Sequence, residues 1–305
     1  MGIPSALSMT TASPSKLSTW ILAARPKTLW AGVAPVLMGT ALALSDGLLH
    51  LPAALAALTF ALLIQVATNF CNDYADFKKG ADTEDRQGPL RVTQAGLLSP
   101  ETVLKATWLV FALAVLVGLY LAARAGWPFI VVVFLSVVCG ALYTAGPFPL
   151  GYLGLGDVSV LVFFGPVAVA GTYLVQASAI PTDVILYGLS PGLLAVAILV
   201  VNNLRDIEGD ALAGKRTLAV RFGKTFTRTE YGLCIVVATL LPLAIGYRFS
   251  EGHGLLLTLL ILPLSVSPLR SVFGGATGYH LNPVLGQTAR LLLLYSVLFS
   301  IGILL

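Results

Sequence analysis

The sequence predicts an all-α fold, a polytopic membrane bundle of about nine transmembrane helices. Of the 305 residues, 57% are hydrophobic and only 10% are charged, whereas soluble proteins contain about 25% charged residues. The mean hydropathy is +0.90. Apolar runs near the roughly 20 residues that cross a bilayer recur along the chain. The helices that we expect from these runs cover residues 28–46, 51–73, 101–123, 127–145, 157–178, 184–205, 228–247, 254–272 and 285–305.

The segments that follow and connect the expected helices indicate how the chain is organised. The second and the sixth lead into acidic motifs, and two prolines interrupt the eighth. Only the connections 78–100 and 206–227 are long and polar, and the short links elsewhere leave no room for a separate soluble domain. We therefore expect a polar N-terminal tail over residues 1–20 and a single transmembrane domain over residues 21–305.

The charged residues orient the bundle in the membrane. If the N-terminus is cytoplasmic, nine spans place all of the 18 Lys and Arg residues on the cytoplasmic side except Arg124 and Arg248. This asymmetry follows the positive-inside rule and supports an odd number of spans. The net charge of +4 reflects the same bias, so it does not indicate a nucleic-acid partner. We expect an integral, multi-pass protein surrounded by membrane lipid, with both acidic motifs on the cytoplasmic face.

Most of the 14 acidic residues lie in two short motifs, at the ends of the second and sixth helices. In each motif an Asn is followed four positions later by an Asp: Asn72 by Asp76, and Asn202 by Asp206. Each motif ends an even-numbered helix and begins a basic loop. An even number of spans separates them, so both face the same side, as in parallel internal repeats. The pattern predicts a weak internal duplication.

The polar residues of each motif fall on one face of their helix. On the second helix, the spacing of a single helical face connects Gln65, Asn69, Asn72, Asp73 and Asp76. On the sixth helix, a comparable stripe comprises Asn202 or Asn203, Asp206 and Asp210. Exposure to lipid would leave these polar groups unsatisfied. We therefore expect both stripes to line one cavity that opens to the cytoplasm.

The residue types in this cavity predict a metal and a phosphate-bearing ligand. Mg²⁺ binds one or two carboxylates and keeps other positions for water or for substrate phosphate oxygens. Basic residues follow both motifs: Lys78, Lys79, Arg86 and Arg91 after the first, and Lys215, Arg216 and Arg221 after the second. Acids, metal and cations together are expected where a diphosphate must be bound and made to leave.

Two other interpretations of these charges stay open. Acids at a membrane interface can simply pair with neighbouring bases, and we favour this interpretation for Glu84, Glu208, Lys224 and Arg228. The motifs also suit a divalent-cation or phosphometabolite transporter. Transporters, however, place ionisable groups near the bilayer midplane, whereas the helix interiors of this chain contain almost no charge.

Six segments of the chain resemble the UbiA superfamily of membrane prenyltransferases, and most closely its menaquinone-pathway branch. The segments are ARPKTLWAGVAPVLMG (24–39), NFCNDYADFKKGADTEDRQGPLRVTQAGLLSP (69–100), YTAGPFPLGYLGLGD (143–157), FFGPVAVAGTYLVQ (163–176), VNNLRDIEGDALAGKRTLAVRFG (201–223) and LNPVLGQTARLLLL (281–294). The paired Asp motifs indicate the superfamily, and DRQGPLR with GKRTLAVRFG favours the branch.

This resemblance implies a reaction and a location. The implied reaction is the Mg²⁺-dependent transfer of a polyprenyl group from polyprenyl diphosphate to 1,4-dihydroxy-2-naphthoate, with loss of CO₂ and diphosphate, giving demethylmenaquinol. The alternative is prenylation of another aromatic acceptor, such as 4-hydroxybenzoate or homogentisate. The implied location is a bacterial inner membrane, with the active-site loops on the cytoplasmic side.

The resemblance also assigns roles to individual residues. The implied metal ligands are Asp73, Asp76, Asp82, Asp206 and Asp210, with Asp85 as the alternative to Asp82. The implied diphosphate-binding residues are Asn72, Arg86, Arg91, Asn202, Lys215 and Arg216. The residues implied to act in catalysis are Asp76, Asp206, Asp210 and Tyr143, of which Tyr143 is expected near the reacting carbon.

Overall fold

The computed structural model describes residues 15–81, 87–249 and 253–305, and within these ranges it contains helices and no strand. The α-helices are α1 (Lys16–Ala24), α2 (Pro26–Ser45), α3 (Leu51–Lys78), α4 (Pro100–Ala125), α5 (Trp127–Leu142), α6 (Gly156–Val162), α7 (Ala168–Leu174), α8 (Thr182–Tyr187), α9 (Leu189–Leu212), α10 (Leu218–Phe249), α11 (Ile261–Phe273) and α12 (Asn282–Ile303). A π-helical turn, Phe163–Val167, joins α6 to α7, and 3₁₀ turns at His253–Leu260 and Gly278–Leu281 precede α11 and α12.

The positions of the predicted membrane spans agree with the structure, although one of the nine is shorter than expected. Among the described residues, eight helical stretches are long and apolar enough to cross a membrane, and α5 is a shorter apolar helix. The α-helical membrane bundle predicted from the sequence is therefore confirmed. Several helices are longer than expected: α3 continues to Lys78, α9 continues to Leu212, and α10 begins at Leu218. Asn72, Asp73 and Asp76 consequently lie on the regular helix α3, and Asn202, Asp206 and Asp210 lie on α9. The internal duplication stays a prediction.

The chain before the first span forms the short helix α1, which was not predicted from the sequence. Ser15 caps α1 by accepting a hydrogen bond from the Ser18 backbone N–H at 3.2 Å. The Trp20 ring packs against the Phe70 ring of α3, with 5.4 Å between their centroids. Arg25 follows with a φ of +53°, a left-handed conformation that turns the chain from α1 into α2. Helix α1 is thereby held against the end of α3 that carries the first motif.

The span α6–α7 is broken at its centre, and close packing of glycines explains the break. Gly165 has non-helical φ and ψ angles of −111° and −112°, and the adjacent Pro166 has no N–H to donate. A Cβ atom on Gly165 would lie 2.7 Å from the carbonyl oxygen of Gly188. The two backbones therefore approach more closely than any side chain permits. In this broken segment, Phe163 and Phe164 line an internal cavity.

Two apolar cores flank that cavity. The larger core joins α2, α7, α9, α10 and α12, and its fully buried aromatic side chains include Tyr187, Tyr295 and Phe299. The smaller core lies among α2–α5, where the rings of Phe60 and Phe129 meet at a centroid distance of 6.1 Å. The space between α3 and α5 on one side and α6 and α7 on the other stays open, and the candidate site lies there.

Candidate active site

Two cavities adjoin between the two halves of the bundle. A polar cavity of about 220 Å³ is lined by residues of both acidic motifs and of the loops that follow them. An apolar cavity of about 240 Å³ extends among α2, α3, α5, α6 and α7. The residues that line both cavities are Gln65, Asn72, Tyr143, Val160 and Phe164. A ligand with a charged head and an apolar tail can therefore occupy both cavities at once.

Helix α3 carries the first motif into the polar cavity. Asp76 is 3% exposed, and its carboxylate is paired on both oxygens. Arg91 donates to Oδ2 at 3.1 Å, and the Tyr152 hydroxyl donates to Oδ1 at 2.8 Å. One turn earlier, the Oδ1 of Asn72 accepts a hydrogen bond from the Thr144 hydroxyl at 2.6 Å. These bonds attach the loops after α3 and α5 to the motif.

Helix α9 carries the second motif, and Arg205 fixes its geometry. The guanidinium binds both oxygens of Asp206, with Nε 2.8 Å from Oδ1 and Nη2 2.6 Å from Oδ2. Nη2 also donates to Asn202 Oδ1 at 2.7 Å, and Nη1 donates to Asn282 Oδ1 at 2.9 Å. Because the planar guanidinium binds both carboxylate oxygens, it fixes the orientation of the Asp206 side chain and also balances its charge. The Arg205 side chain is 1% exposed, so this arrangement is shielded from water.

Lys215 connects the two motifs across the polar cavity. It belongs to the loop after α9, and its Nζ lies 3.3 Å from Asp210 Oδ1 and 3.5 Å from Asp76 Oδ1. The lysine therefore interacts with one carboxylate from each half of the chain. Since its side chain is only 17% exposed, these ion pairs are screened less than pairs at an open surface. The cavity thus holds acids and bases in direct contact.

Tyr152 forms a second contact point between the two halves. Lys79 Nζ lies 4.2 Å from the centroid of its ring, and Lys215 Nζ lies 5.0 Å from the same centroid. Lys79 also donates to the carbonyl oxygen of Thr144 at 2.6 Å. Partial burial lowers the pKa of the Lys79 ammonium; Asp76 opposes that shift, and Lys215 adds to it. Both lysines are thus held near one aromatic ring, and of the two Lys215 lines the polar cavity.

Most of the chain matches one known protein family. The model of the UbiA prenyltransferase family matches residues 32–275. The chain belongs to the UbiA prenyltransferase family. The family predicted from the acidic motifs is therefore confirmed.

Two relatives of this UbiA family member are similar over nearly their full lengths. One, from Haemophilus influenzae, is 40% identical over 298 residues, which are 95% of this chain and 96% of the relative. Another, from Escherichia coli, is 40% identical over 303 residues, which are 97% and 98% of the two chains. Both relatives carry the name 1,4-dihydroxy-2-naphthoate octaprenyltransferase.

Solved structures of UbiA homologues share the fold of the chain. A homologue from Archaeoglobus fulgidus bound to GPP and Mg²⁺ superposes with a TM-score of 0.67 at 15% identity, covering 94% of this chain and 99% of the homologue. The structure of a homologue from the same organism bound to DMAPP and Mg²⁺ gives a TM-score of 0.66 at 14% identity, with the same coverage. At this level of identity the similarity establishes the fold alone.

Most of the residues predicted for the site of this UbiA family member lie around the polar cavity. Its lining includes Asn72, Asp76, Arg91, Tyr143, Asn202, Asp206, Asp210 and Lys215. Arg216 is exposed and is not among the lining residues, although its backbone N–H donates to the Tyr152 carbonyl at 2.8 Å. Asp82, Asp85 and Arg86 lie outside the described residues.

Asp73 is placed differently from the other predicted metal ligands of the UbiA site. It is 1% exposed and does not line the polar cavity. Its two oxygens accept hydrogen bonds from the backbone N–H groups of Val92 and Thr93, at 3.2 and 3.1 Å. Those residues directly follow Arg91. The geometry therefore favours Asp73 as the anchor of the loop that presents Arg91 to Asp76.

Three further residues of the UbiA site were not predicted from the sequence. They are Arg25, Tyr152 and Arg205; Arg25 and Tyr152 line the polar cavity, and Arg205 binds Asp206. The sequence left open whether Asn202 or Asn203 belongs to the stripe, and both line the cavity. The position of Arg205, one residue before Asp206, was a usable signal, because a guanidinium beside a carboxylate can pair with it in bidentate geometry. Tyr152 lies in a loop without periodicity, and no spacing pattern points to it.

The donor atoms of the UbiA site fit a hard divalent cation. Carboxylate and amide oxygens from Asn72, Asp76, Asn202, Asp206 and Asp210 face one cavity, and these are the ligand types that Mg²⁺ prefers. Within the part of the chain that the structure describes, no three acidic, His or Cys side chains converge as a ready-made metal cage. Such a sparse protein ligand set is expected for Mg²⁺, which usually binds few carboxylates and completes its shell with water and substrate phosphates.

Proposed function

We propose that the protein transfers a polyprenyl group from polyprenyl diphosphate to 1,4-dihydroxy-2-naphthoate, with loss of CO₂ and diphosphate, and so forms demethylmenaquinol. The observation that carries this proposal is the junction of the polar and apolar cavities at Asn72, Tyr143 and Phe164. A prenyl diphosphate has the same division into a charged head and an apolar tail. The acceptor is proposed from the two relatives that share 40% identity and carry the naphthoate octaprenyltransferase name.

In this proposal the polar cavity binds the diphosphate. Asp76, Asp206 and Asp210, with the amides of Asn72 and Asn202, would hold Mg²⁺. Bound Mg²⁺ supplies positive charge that neutralises the diphosphate as it leaves. Arg91 and Lys215 lie against these acids and would donate to the diphosphate oxygens. Fixed cations of this kind stabilise charge that develops in the transition state. Arg86 and Arg216 remain candidates for the same role from their positions in the sequence.

The apolar cavity would receive the prenyl tail. Its lining is largely apolar and includes Phe60, Phe129 and Phe163, which suits a hydrocarbon chain. Tyr143 and Phe164 lie at the junction of the cavities, where the allylic carbon that loses the diphosphate would lie in this proposal. Aromatic faces attract cations, so these rings would stabilise the allylic cation until the electron-rich naphthoate ring attacks it.

The protein is an integral, multi-pass membrane protein, and we propose a bacterial inner membrane with the site open to the cytoplasm. Both long basic loops follow the acidic motifs, and the positive-inside rule places such loops in the cytoplasm. The diphosphate head of the donor would then enter from water, while its tail stays among the helices or in the lipid.

An acceptor panel tests this function. Purified protein in lipid nanodiscs is incubated with octaprenyl diphosphate, Mg²⁺ and equal amounts of 1,4-dihydroxy-2-naphthoate, 4-hydroxybenzoate and homogentisate, and the products are identified by mass. We expect demethylmenaquinol, the prenylated and decarboxylated naphthalenediol, as the main product, and no product when EDTA replaces Mg²⁺. Preference for another acceptor would refute the naphthoate assignment. Full turnover in EDTA would refute the metal-dependent departure of diphosphate.

A further inference from the structure

Tyr152 lies where the loop between α5 and α6 meets both halves of the site. Its hydroxyl donates to Asp76 Oδ1 at 2.8 Å, and its backbone carbonyl accepts from the Arg216 N–H at 2.8 Å. The same residue therefore contacts the first motif and the loop that follows the second. It also lines the polar cavity. A change in the Tyr152 side chain should consequently remove the contact with Asp76 and leave the backbone bond to Arg216 in place.

The ring of Tyr152 lies beside two positive charges. Lys79 Nζ and Lys215 Nζ are 4.2 and 5.0 Å from its centroid, within the distance at which an aromatic face attracts an ammonium group. The two lysines come from the loops after α3 and α9, and their like charges repel each other. Attraction to one ring offsets part of this repulsion. The ring thus keeps the exposed Lys79 close to Lys215, which lines the polar cavity.

We propose that Tyr152 is a positioning residue for the donor diphosphate: its ring holds Lys79 and Lys215 as a pair that binds the diphosphate, and its hydroxyl holds the Asp76 carboxylate in place. This inference rests on the proposed prenyl transfer. The ring and the hydroxyl act on different groups, so two substitutions separate them. Tyr152→Phe keeps the ring and removes the hydrogen bond to Asp76, whereas Tyr152→Leu removes both.

The first test measures binding and not turnover. Inorganic pyrophosphate is titrated by calorimetry into the detergent-purified full chain, with EDTA present so that only protein cations contribute. We expect Tyr152→Leu to weaken binding by about fivefold or more, which corresponds to the loss of one or two cation–π contacts. We expect Tyr152→Phe to bind within about twofold of the parent protein, because the ring is kept. Phe148→Leu is the matched control, since Phe148 is an exposed aromatic residue of the same loop.

A double-mutant cycle assigns the effect to the lysine pair. In a Lys79→Ala background, Tyr152→Leu should weaken pyrophosphate binding less than it does in the parent protein, because one of the two contacts is already gone. If Tyr152→Leu does not fold, Lys79→Ala alone serves as the test and must weaken pyrophosphate binding while Phe148→Leu does not. Equal effects of Tyr152→Leu in both backgrounds, or equal weakening by Tyr152→Phe and Tyr152→Leu, would overturn the proposal.

Steady-state kinetics then separate the two parts of the proposal. Tyr152→Phe should lower kcat and leave the KM for the prenyl diphosphate unchanged, since Asp76 loses one of the contacts that orient its carboxylate while the lysine pair stays. Tyr152→Leu should in addition raise the donor KM and leave the acceptor KM unchanged. Parent-like kcat in Tyr152→Phe would overturn the role of the hydroxyl. If the parent protein transfers no prenyl group, the proposed function fails, and the pyrophosphate titrations still decide whether Tyr152 positions the lysines.

Discussion

The ammonium of Lys215 lies 3.5 Å from the carboxylate of Asp76, so the loop after the second motif is paired with the first motif. Lys215 also lies 3.3 Å from Asp210, at the end of the second motif. The two motifs, far apart in sequence, therefore form one charged site. This arrangement makes the effects of single substitutions at the site predictable.

Replacing Asp76 with Asn should abolish most of the prenyl transfer. The change keeps the size of the side chain and an acceptor for Tyr152 but removes the negative charge that would bind a divalent cation. Loss of one preorganised electrostatic group lowers kcat by about 100-fold or more. Product formation is measured at saturating Mg²⁺. Glu208→Gln is the control, because the Glu208 side chain is 85% exposed and pairs with Lys224 away from the cavity lining; it should stay near parent activity. Near-normal turnover in Asp76→Asn would remove Asp76 from the site.

Replacing Asp73 with Ala should lower stability more than it changes the requirement for Mg²⁺. Two backbone N–H groups, of Val92 and Thr93, lose their acceptor, and burying unsatisfied donors costs about 1–3 kcal/mol. Thermal unfolding in detergent should show a lower midpoint, and the Mg²⁺ concentration for half-maximal rate should not change. An unchanged midpoint together with a higher Mg²⁺ requirement would instead identify Asp73 as a metal ligand.

Replacing Arg205 with Lys should lower kcat although the charge is kept. Lysine cannot bind both oxygens of Asp206 and at the same time reach Asn202 and Asn282, as the guanidinium does. Charge-assisted hydrogen bonds contribute about 1.5–3 kcal/mol each. The initial rate of product formation is compared with that of Arg290→Lys, a conservative change at an exposed position of α12. Equal rates for the two variants would show that the geometry of Asp206 does not matter.

Replacing Ala61 with Phe should impair long donors more than short ones. Ala61 lines the apolar cavity, and a phenyl group there fills space that the prenyl tail needs. We expect the kcat/KM for octaprenyl diphosphate to fall by about tenfold relative to that for geranyl diphosphate. This loss is consistent with the cost of overpacking an apolar site, which is roughly 1–3 kcal/mol. Leu116→Phe, on an exposed position of α4, is the control. Equal losses with both donors would place the tail elsewhere.

The sequence was sufficient to predict which residues share the site where helical periodicity determines their positions. The spacing of Asn72 and Asp76 placed them on one helical face, and the parity of the spans placed Asp206 and Asp210 at the same end of the bundle. The structure brings all four to one cavity. Periodicity alone did not distinguish Asp73 from Asp76, because the backbone N–H groups that Asp73 binds belong to a loop nineteen and twenty residues further along the chain.

Contacts made by loops and by distant helices could not be predicted. Tyr152 lies in the non-periodic loop between α5 and α6, and its contacts with Lys79 and Lys215 depend on how three loops fold together. Arg205 was visible beside Asp206, but its partner Asn282 is 77 residues away. The break in α6–α7 depends on the close approach of Gly165 to Gly188, which only the packed bundle reveals.

The stoichiometry of the reaction tests the central claim most directly. The purified protein is given Mg²⁺, octaprenyl diphosphate and 1,4-dihydroxy-2-naphthoate labelled in its carboxyl group, and labelled CO₂, free diphosphate and prenylated product are measured together. The account predicts that CO₂, diphosphate and product appear in equal amounts, and that all three disappear in Asp76→Asn and Asp206→Asn. Release of diphosphate without a prenylated product, or a product that keeps the labelled carboxyl group, would contradict it.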